Sequence, residues 1–389
     1  MSFKLSSTAV IFESGGSSIL VADSFTYNTL RPGYDSDQNI DSNYISDFFP
    51  SVSFFVTPPN EYQGSAFGFI AGGGPAPPYD NRAIIQKFPF ASDANAADTG
   101  GDLALWNSSG AASSSPTHGY VAGGYWGPSS SGSVNGTIYK FPFAISSGTS
   151  TDVGNQVTNV YATVGASSDT HGYTIAGLKS VFSGPQLLSD IEKYSHSSDG
   201  NATKIGDLID ARYNQATNSS RNDGVAFVSG GFDTPPSTGG LSDTIQKFPF
   251  ASDNDAVDTG ANIIGGLYTT YGVSGATGTV SKTHAYIAGG GPPYLFQVNM
   301  IQKFPFSISS GTSTDVGDLF YGRSRLSGIS STTHGYATGG DATPNPPAPY
   351  PYAGVNIIQK WSISSDANGT DVGDMIHAAN NHPGPGHQV

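Results

Sequence analysis

Four histidines recur at one position of a repeated phrase: His118, His171, His284 and His334, each preceded by Thr and followed by Gly or Ala and then Tyr. Imidazole suits proton transfer near neutral pH and ligation of divalent metals. A repeat, however, puts equivalent residues in different units, too far apart to share an ion at about 2.1 Å. The phrase therefore predicts a histidine that stabilises a turn. Three acidic segments, DANAAD (93–98), DNDAVD (253–258) and DANGTD (366–371), carry oxygen ligands at alternate positions, as a calcium loop does. The corresponding segments ISSGTSTD (145–152 and 308–315) hold fewer carboxylates, which points to Asx or Ser/Thr turns at all of these places. HPGPGH (382–387) has two further imidazoles and reads as part of a tail. No metal and no cofactor is expected.

Enzymatic chemistry finds little support. Cysteine is absent, which removes disulfides, thiolate metal sites and thiol nucleophiles. There is no Gly-x-Ser-x-Gly elbow, His-Glu-x-x-His motif or P-loop. A structural or binding protein, not an enzyme, is the expectation. Net charge is −14, so the average surface repels nucleic acid and anionic membranes. No stretch reaches the roughly 18 apolar residues of a membrane span, and MSFKLSSTAVIFESGG lacks the form of a secretory signal.

Charged residues make up only 12 % of the 389, while Gly numbers 51 and aromatics are 12 %. Few exposed helical faces can be built from that, but many short strands and turns can. The order within the chain is periodic. A first phrase appears as FGFIAGGG (67–74), THGYVAGG (117–124), THGYTIAG (170–177), DGVAFVSGG (223–231), THAYIAGG (283–290) and THGYATGG (333–340). A second follows each copy: IIQKFPF (84–90), TIYKFPF (137–143), DIEKYS (190–195), TIQKFPF (244–250), MIQKFPF (300–306) and IIQKWS (357–362). A third closes the unit, as in ADTGGDL (97–103) and TDVGDL (314–319). The spacing of about 50 to 60 residues fits a four-stranded propeller blade. The three phrases become strands b, c and d, and strand a is the segment before each first phrase, for example 161–168, 212–220 and 323–331. Proline within Phe-Pro-Phe cannot donate to a ladder, so strand c should bulge or end there.

These phrases resemble kelch repeats: an apolar strand ending in Gly-Gly (Gly72-Gly73, Gly123-Gly124, Gly230-Gly231, Gly289-Gly290, Gly339-Gly340, with Ala176-Gly177 as a degenerate copy), then a strand carrying an aromatic at Phe88, Phe141, Tyr194, Phe248, Phe304 or Trp361. The last-strand Trp of that family is missing. The resemblance implies an all-β, kelch-like β-propeller of six four-stranded blades, alternatively seven. Galactose-oxidase-type relatives need a Cys-Tyr crosslink that a chain without Cys lacks. The wording Lys-Phe-Pro-Phe-Ala-Ser-Asp also looks like repeats in virion proteins of marine bacteriophages, especially those infecting cyanobacteria.

The expected organisation is an N-terminal docking segment or degenerate blade over 1–50 and a propeller over 51–389. Its repeats lie near 51–105, 106–158, 159–210, 211–265, 266–320 and 321–376, with a tail at 377–389. In the six-blade closure SVSFFVT (51–57) supplies the first strand a; in the seven-blade closure the N-terminal strands, in TAVIFESGG (8–16) and SSILVADSF (17–25), combine with the C-terminal segment.

Two residue sets stand out. Lys87, Lys140, Lys193, Lys247, Lys303 and Lys360 recur in strand c although the chain has only 16 basic residues. They predict structural pairs with Asp98, Asp152, Asp258, Asp315 and Asp371 of strand d; Lys204 replaces that Asp in the third repeat. The b–c loops, in contrast, are long, dissimilar and rich in Pro and aromatics, and Tyr79, Trp126, Phe232, Tyr294, Phe296, Tyr350 and Tyr352 are the candidate ligand-binding residues. The functional expectation is a phage virion structural or appendage protein (tail, fibre or capsid-associated), in several copies per particle. Its partners would be other virion proteins and host cell-surface glycan. Alternatives are an extracellular or cell-surface carbohydrate-binding propeller of a bacterium and a polysaccharide-degrading enzyme.

Overall fold

The computed structural model describes residues 64–75, 83–126, 133–181, 184–233, 240–265, 272–291, 297–342 and 353–380, together with short strands at either end. Every regular element among them is a strand. The chain divides into two compact units, Met1–Pro59 and Asn60–Val389. The first holds an antiparallel meander, Ser2–Ser6, Ala9–Ser14 and Ser17–Ala22.

Among the described residues of the second unit, six sheets are blades with strands in the order a-b-c-d, blade 4 taking on Gly311–Thr312 as a fifth strand, and three smaller sheets of two or three short strands lie beside them. Blade 2, for example, runs Ala111–Ser114, His118–Ala122, Thr137–Pro142 and Thr151–Asn155. Blades 3 to 6 begin at Val164, Ala216, Thr277 and Ser327. Blade 1 is built differently. Phe67–Ala71, Ile84–Pro89 and Ala97–Asp102 form its strands b, c and d, and its innermost strand is His387–Gln388 from the other end of the chain. Residues 51–57, expected in that place, lie outside the described residues. The circle closes at six because a strand from the C-terminal segment completes the first sheet.

Side-chain patterning follows the position of each strand. Strands a and b are buried on both faces, as the burial of Ala111–Ser114 and of residues 119–122 shows. Strand c ends at its proline in four blades, at Pro89, Pro142, Pro249 and Pro305, since the ring nitrogen cannot donate to the ladder.

Neighbouring blades are joined by the same contacts at every junction. The strand c aromatic of one blade packs on the strand b aromatic of the blade before: Phe141 on Phe69, Tyr194 on Tyr120, Phe248 on Tyr173, Phe304 on Phe227, and Phe88 on Tyr336 across the closure. Trp361 shares a buried cluster with Tyr286. The backbone adds two sets of bonds. The second glycine of each Gly-Gly phrase adopts a left-handed conformation and donates its N–H to the connection leading into the next blade, as in Gly124 to Val160 O (2.8 Å) and Gly340 to Ala379 O (2.9 Å). The c–d loop donates back to the end of the preceding strand d: Ser150 to Asp102 O, Ala202 to Asn155 O, Ala256 to Asp207 O, Ser313 to Asn262 O, Gly369 to Asp318 O and Ala96 to Asp374 O, all 2.7–2.9 Å.

The glycine of strand d follows from this last contact. The c–d loop of the next blade lies directly on it. A Cβ on Gly206 or Gly373 would sit 2.5 Å from Asn254 O or Ala94 O.

Candidate functional site

A four-stranded blade places its a–b and c–d turns on one side of the disc and its b–c loops and d–a connections on the other. The turn face is built of repeats. Each of the four phrase histidines starts strand b. Its backbone N–H donates to a serine three residues earlier (Ser115, Ser168, Ser281, Ser331; 3.0 Å), and its Nδ1 lies 2.8 Å from the preceding threonine Oγ1. Burial, with the nearby strand c lysine second, lowers the pKa of all four. They are neutral turn-holding groups on four separate blades.

The strand c lysines make ion pairs, but not the ones that the sequence suggests. Lys140 pairs with Asp199 (2.8 Å), Lys193 with Asp253, Lys303 with Asp366 (2.5 Å) and Lys360 with Asp93. Each aspartate belongs to the c–d loop of the next blade, so the pairs cross junctions. The expected partners on strand d are occupied otherwise: Asp98, Asp152, Asp258, Asp315 and Asp371 each accept the N–H of the glycine two residues on (2.7–3.2 Å) and hold a local bulge. Lys204, in the odd repeat, binds Asp190 and Asp207 of its own blade. Lys87 and Lys247 face the two loops with the ISSGTSTD wording, which have no aspartate at that place; among the described residues neither forms an ion pair, and Lys87 lies over the Phe67 ring at 5.1 Å. There the two blades are joined by backbone instead, through parallel pairing of Asp102 with Thr149 and of Ala261–Asn262 with Gly311–Thr312.

This accounts for the calcium-like segments. Asp93, Asp253 and Asp366 take a lysine, Asn95, Asp255 and Asn368 cap the N–H of Asp374, Asp207 and Asp318, and the last aspartate closes its bulge. Among the described residues no group of three or more His, Asp or Glu converges.

Sequence reasoning missed a second device in the same phrase. In five blades the residue before the strand c lysine is a buried Gln or Glu that carries a carbonyl or carboxylate toward the blade before; blade 2 has Tyr139 there. Gln86, Gln246, Gln302 and Gln359 accept the N–H of Ile376, Ile209, Ile264 and Phe320 through Oε1. Glu192 accepts two, from Val157 and Thr158. The repeated Gln-Lys pair was the available signal: a polar residue inside a buried strand must have a partner.

The loop face differs from blade to blade. Its d–a connections run beside the beginnings of the b–c loops, pairing Ser108 with Tyr125, Tyr161 with Leu178, Tyr213 with Phe232 and Ser274 with Gly291. Of the candidate aromatics, Trp126 is exposed. Phe232 is not available to a ligand: it is buried and stacks on Tyr213 with centroids 4.9 Å apart, because its chain segment turns down onto the connection. Tyr79, Tyr294, Phe296, Tyr350 and Tyr352 lie outside the described residues.

Among the described residues, bonds between neighbouring inner strands line the axis. Between neighbouring inner strands Ser167 Oγ accepts from Ser114 N (2.9 Å), Ser219 Oγ from Ser167 N (3.0 Å) and Ser330 Oγ from Val280 N (2.9 Å), while Ser113 Oγ bonds the Tyr194 hydroxyl on strand c (2.8 Å). On the turn face Arg221 reaches Ser114 O (2.7 Å) and Asp169 (3.4 Å). On the loop face the mouth holds a cavity of about 40 Å³, room for about three waters. It is rimmed by Ser109, Ala162, Asn214, Gly275 and Arg325, all left-handed with φ between 52° and 66°. A chain of backbone bonds circles it, from Asn214 N to Ala162 O, Gly275 N to Asn214 O and Arg325 N to Gly275 O.

The six sheets and the contacts that close them make this chain a six-bladed β-propeller. It is similar to a solved structure, "Structure of YjhT", with a TM-score of 0.56 at 12 % identity, over 80 % of this chain and 99 % of that one. At that identity the likeness concerns the fold alone. No family model and no curated protein sequence matches the chain.

Proposed function

We propose that this chain is a structural and binding component of a virion, a propeller mounted on a tail, fibre or capsid, whose loop face meets a neighbouring virion protein or a host-surface glycan. The difference between the two faces carries this reading. The turn face repeats the same phrases in blade after blade, and four of its six strand c lysines are committed to junctions, whereas the loop face presents a different sequence at each blade on a rigid ring, the usual arrangement for recognition. The marine-phage setting rests on the wording of the repeats, above all Lys-Phe-Pro-Phe-Ala-Ser-Asp.

Gold-labelled antibody against the chain should decorate intact particles of the phage that encodes it, at several positions per particle. Unlabelled particles would refute the assignment. A glycan array probed with the wild-type chain and with Trp126→Ala then tests for carbohydrate recognition through the exposed indole; turnover of host polysaccharide would point to an enzyme instead.

A further inference from the structure

Strand d is followed in every blade by a buried residue (Leu103, Gln156, Leu208, Ile263, Leu319 or Met375), and the residue after it begins the connection across the loop face. That next residue is Ala104, Val157, Ile209, Ile264, Phe320 or Ile376, apolar in all six. Its backbone is fixed from the blade ahead: five donate their N–H to the buried Gln or Glu described above, and Ala104 donates to Ser150 Oγ (2.9 Å). Five of the six residues are exposed, and Ile264 is half-buried. Val157 is 57 % exposed, Ile209 54 %, Phe320 65 % and Ile376 36 %. Trp106 and Tyr321 stand in the same connections, also exposed. The anchoring bond uses only the backbone N–H, so it sets no requirement for an apolar side chain at the exposed positions. Apolar residues at one equivalent place in every blade form a repeated pattern that singly scattered surface residues do not show.

The charge around them is mostly negative. Asp102, Asp207, Asp318 and Asp374 immediately precede the buried residues, and Asp210 follows Ile209. Among the described residues of this face, Lys204 is held by Asp190 and Asp207, Arg325 binds Asp341, Arg212 and Arg323 are buried, and Lys179 is exposed. A polyanion would be repelled. A sugar ring stacks on aromatic faces, which Val157, Ile209 and Ile376 do not have.

We propose that the loop face docks a protein surface whose apolar side chains are set among lysines and arginines. The inference rests on the binding role proposed above and chooses protein over glycan as the partner. The test uses the full chain and, as probe, a synthetic amphipathic helix of about 18 residues made of Leu and Lys, with a Leu/Glu peptide of the same pattern and a panel of neutral and acidic oligosaccharides beside it, all by titration calorimetry. Saturable binding of the Leu/Lys peptide is expected, weakened about tenfold or more by the double variant Ile209→Asp, Phe320→Asp and by raising salt from about 0.05 to 0.5 M. The Leu/Glu peptide should not bind. Val257→Asp, an equally exposed apolar position at the start of strand d on the turn face, should leave binding unchanged. If the Asp variants do not fold, Ile209→Ser, Phe320→Ser replaces them. No binding of the Leu/Lys peptide, equal loss in Val257→Asp, or oligosaccharide binding that depends on Ile209 and Phe320 would overturn the proposal. Decorated particles together with any of these results would sink this inference alone; undecorated particles would sink the virion role.

Discussion

His196→Phe should make the propeller less sensitive to acid. His196 occupies the place after strand c that holds Phe90, Phe143, Phe250, Phe306 and Ile363 in the other blades, and all six make the same backbone bond, N–H to a carbonyl of the a–b turn; for His196 this is Thr170 O at 2.9 Å. Its ring stacks on Tyr120 (4.8 Å, 24°) as Phe250 stacks on Tyr173 (5.0 Å, 27°). Burial first, then the charge of Arg221, pushes its pKa from 6.5 down to about 3. Between those values the unfolded chain binds a proton and the native chain does not, so stability falls as pH falls, by about 1.4 kcal/mol per unit at most. From pH 6.5 to 4 the native state should lose about 3 kcal/mol through this residue, and the loss should begin near pH 6.5, above the range where carboxylates titrate. The phrase histidines add smaller effects of the same sign, present in both proteins. Guanidinium unfolding midpoints at pH 7, 6, 5 and 4 would read the difference: the variant should match or exceed wild type at pH 7, and the gap should widen on acidification. Parallel curves for the two proteins would refute the argument.

Two further predictions concern the junctions. Gly373→Ala forces an L side chain to φ of 153° and brings its Cβ to 2.5 Å from Ala94 O, so it should cost about 2–4 kcal/mol, against about 1 for Gly311→Ala, which has a left-handed backbone and open space around it; the same denaturation assay decides, and equal losses would contradict the packing account. Lys303→Met removes a cross-blade pair whose aspartate is 39 % exposed, so it should cost less than about 1 kcal/mol, and the cost should fade in 0.5 M salt.

The blade was legible because its determinants are residue types at fixed spacing. Gly-Gly, Lys-Phe-Pro-Phe and Asp-Val-Gly-Asp-Leu each name a backbone requirement or a packing role, and the structure uses them as strands b, c and d. Pairing across blades was not legible. Lys140 and Asp152 stand on adjacent strands, so the nearest carboxylate in sequence looked like the partner. The real one, Asp199, lies 59 residues away in the next unit, and nothing within a single repeat points there. Closure was hidden for a related reason. His387–Gln388 has none of the Ser/Thr-containing wording of the other inner strands, and two backbone-paired residues leave no pattern to find. The rim of the channel mouth shows the limit most clearly: Ser109, Ala162, Asn214, Gly275 and Arg325 share a left-handed backbone and no chemistry. Phe232 failed in the opposite direction. Its type suggested recognition, while the local chain path buries it.

The junctions are of two kinds, and their order carries a further regularity. Loops with an aspartate that receives a lysine belong to blades 1, 3, 4 and 6; loops that pair by backbone belong to blades 2 and 5. The Thr-His phrase is present in blades 2, 3, 5 and 6 and absent from 1 and 4, where Phe69 and Phe227 stand in place of tyrosine. Blade 1 thus matches blade 4, blade 2 matches 5 and blade 3 matches 6: three successive blades form the unit that repeats, and the ring contains it twice. An ion pair at the exposed rim and a parallel backbone pairing of one or two residues serve as alternatives at one position because neither holds the junction alone. The aromatic contact, the Gly-Gly bond and the bond from the c–d loop are constant in all six, and the stability of the ring rests on them.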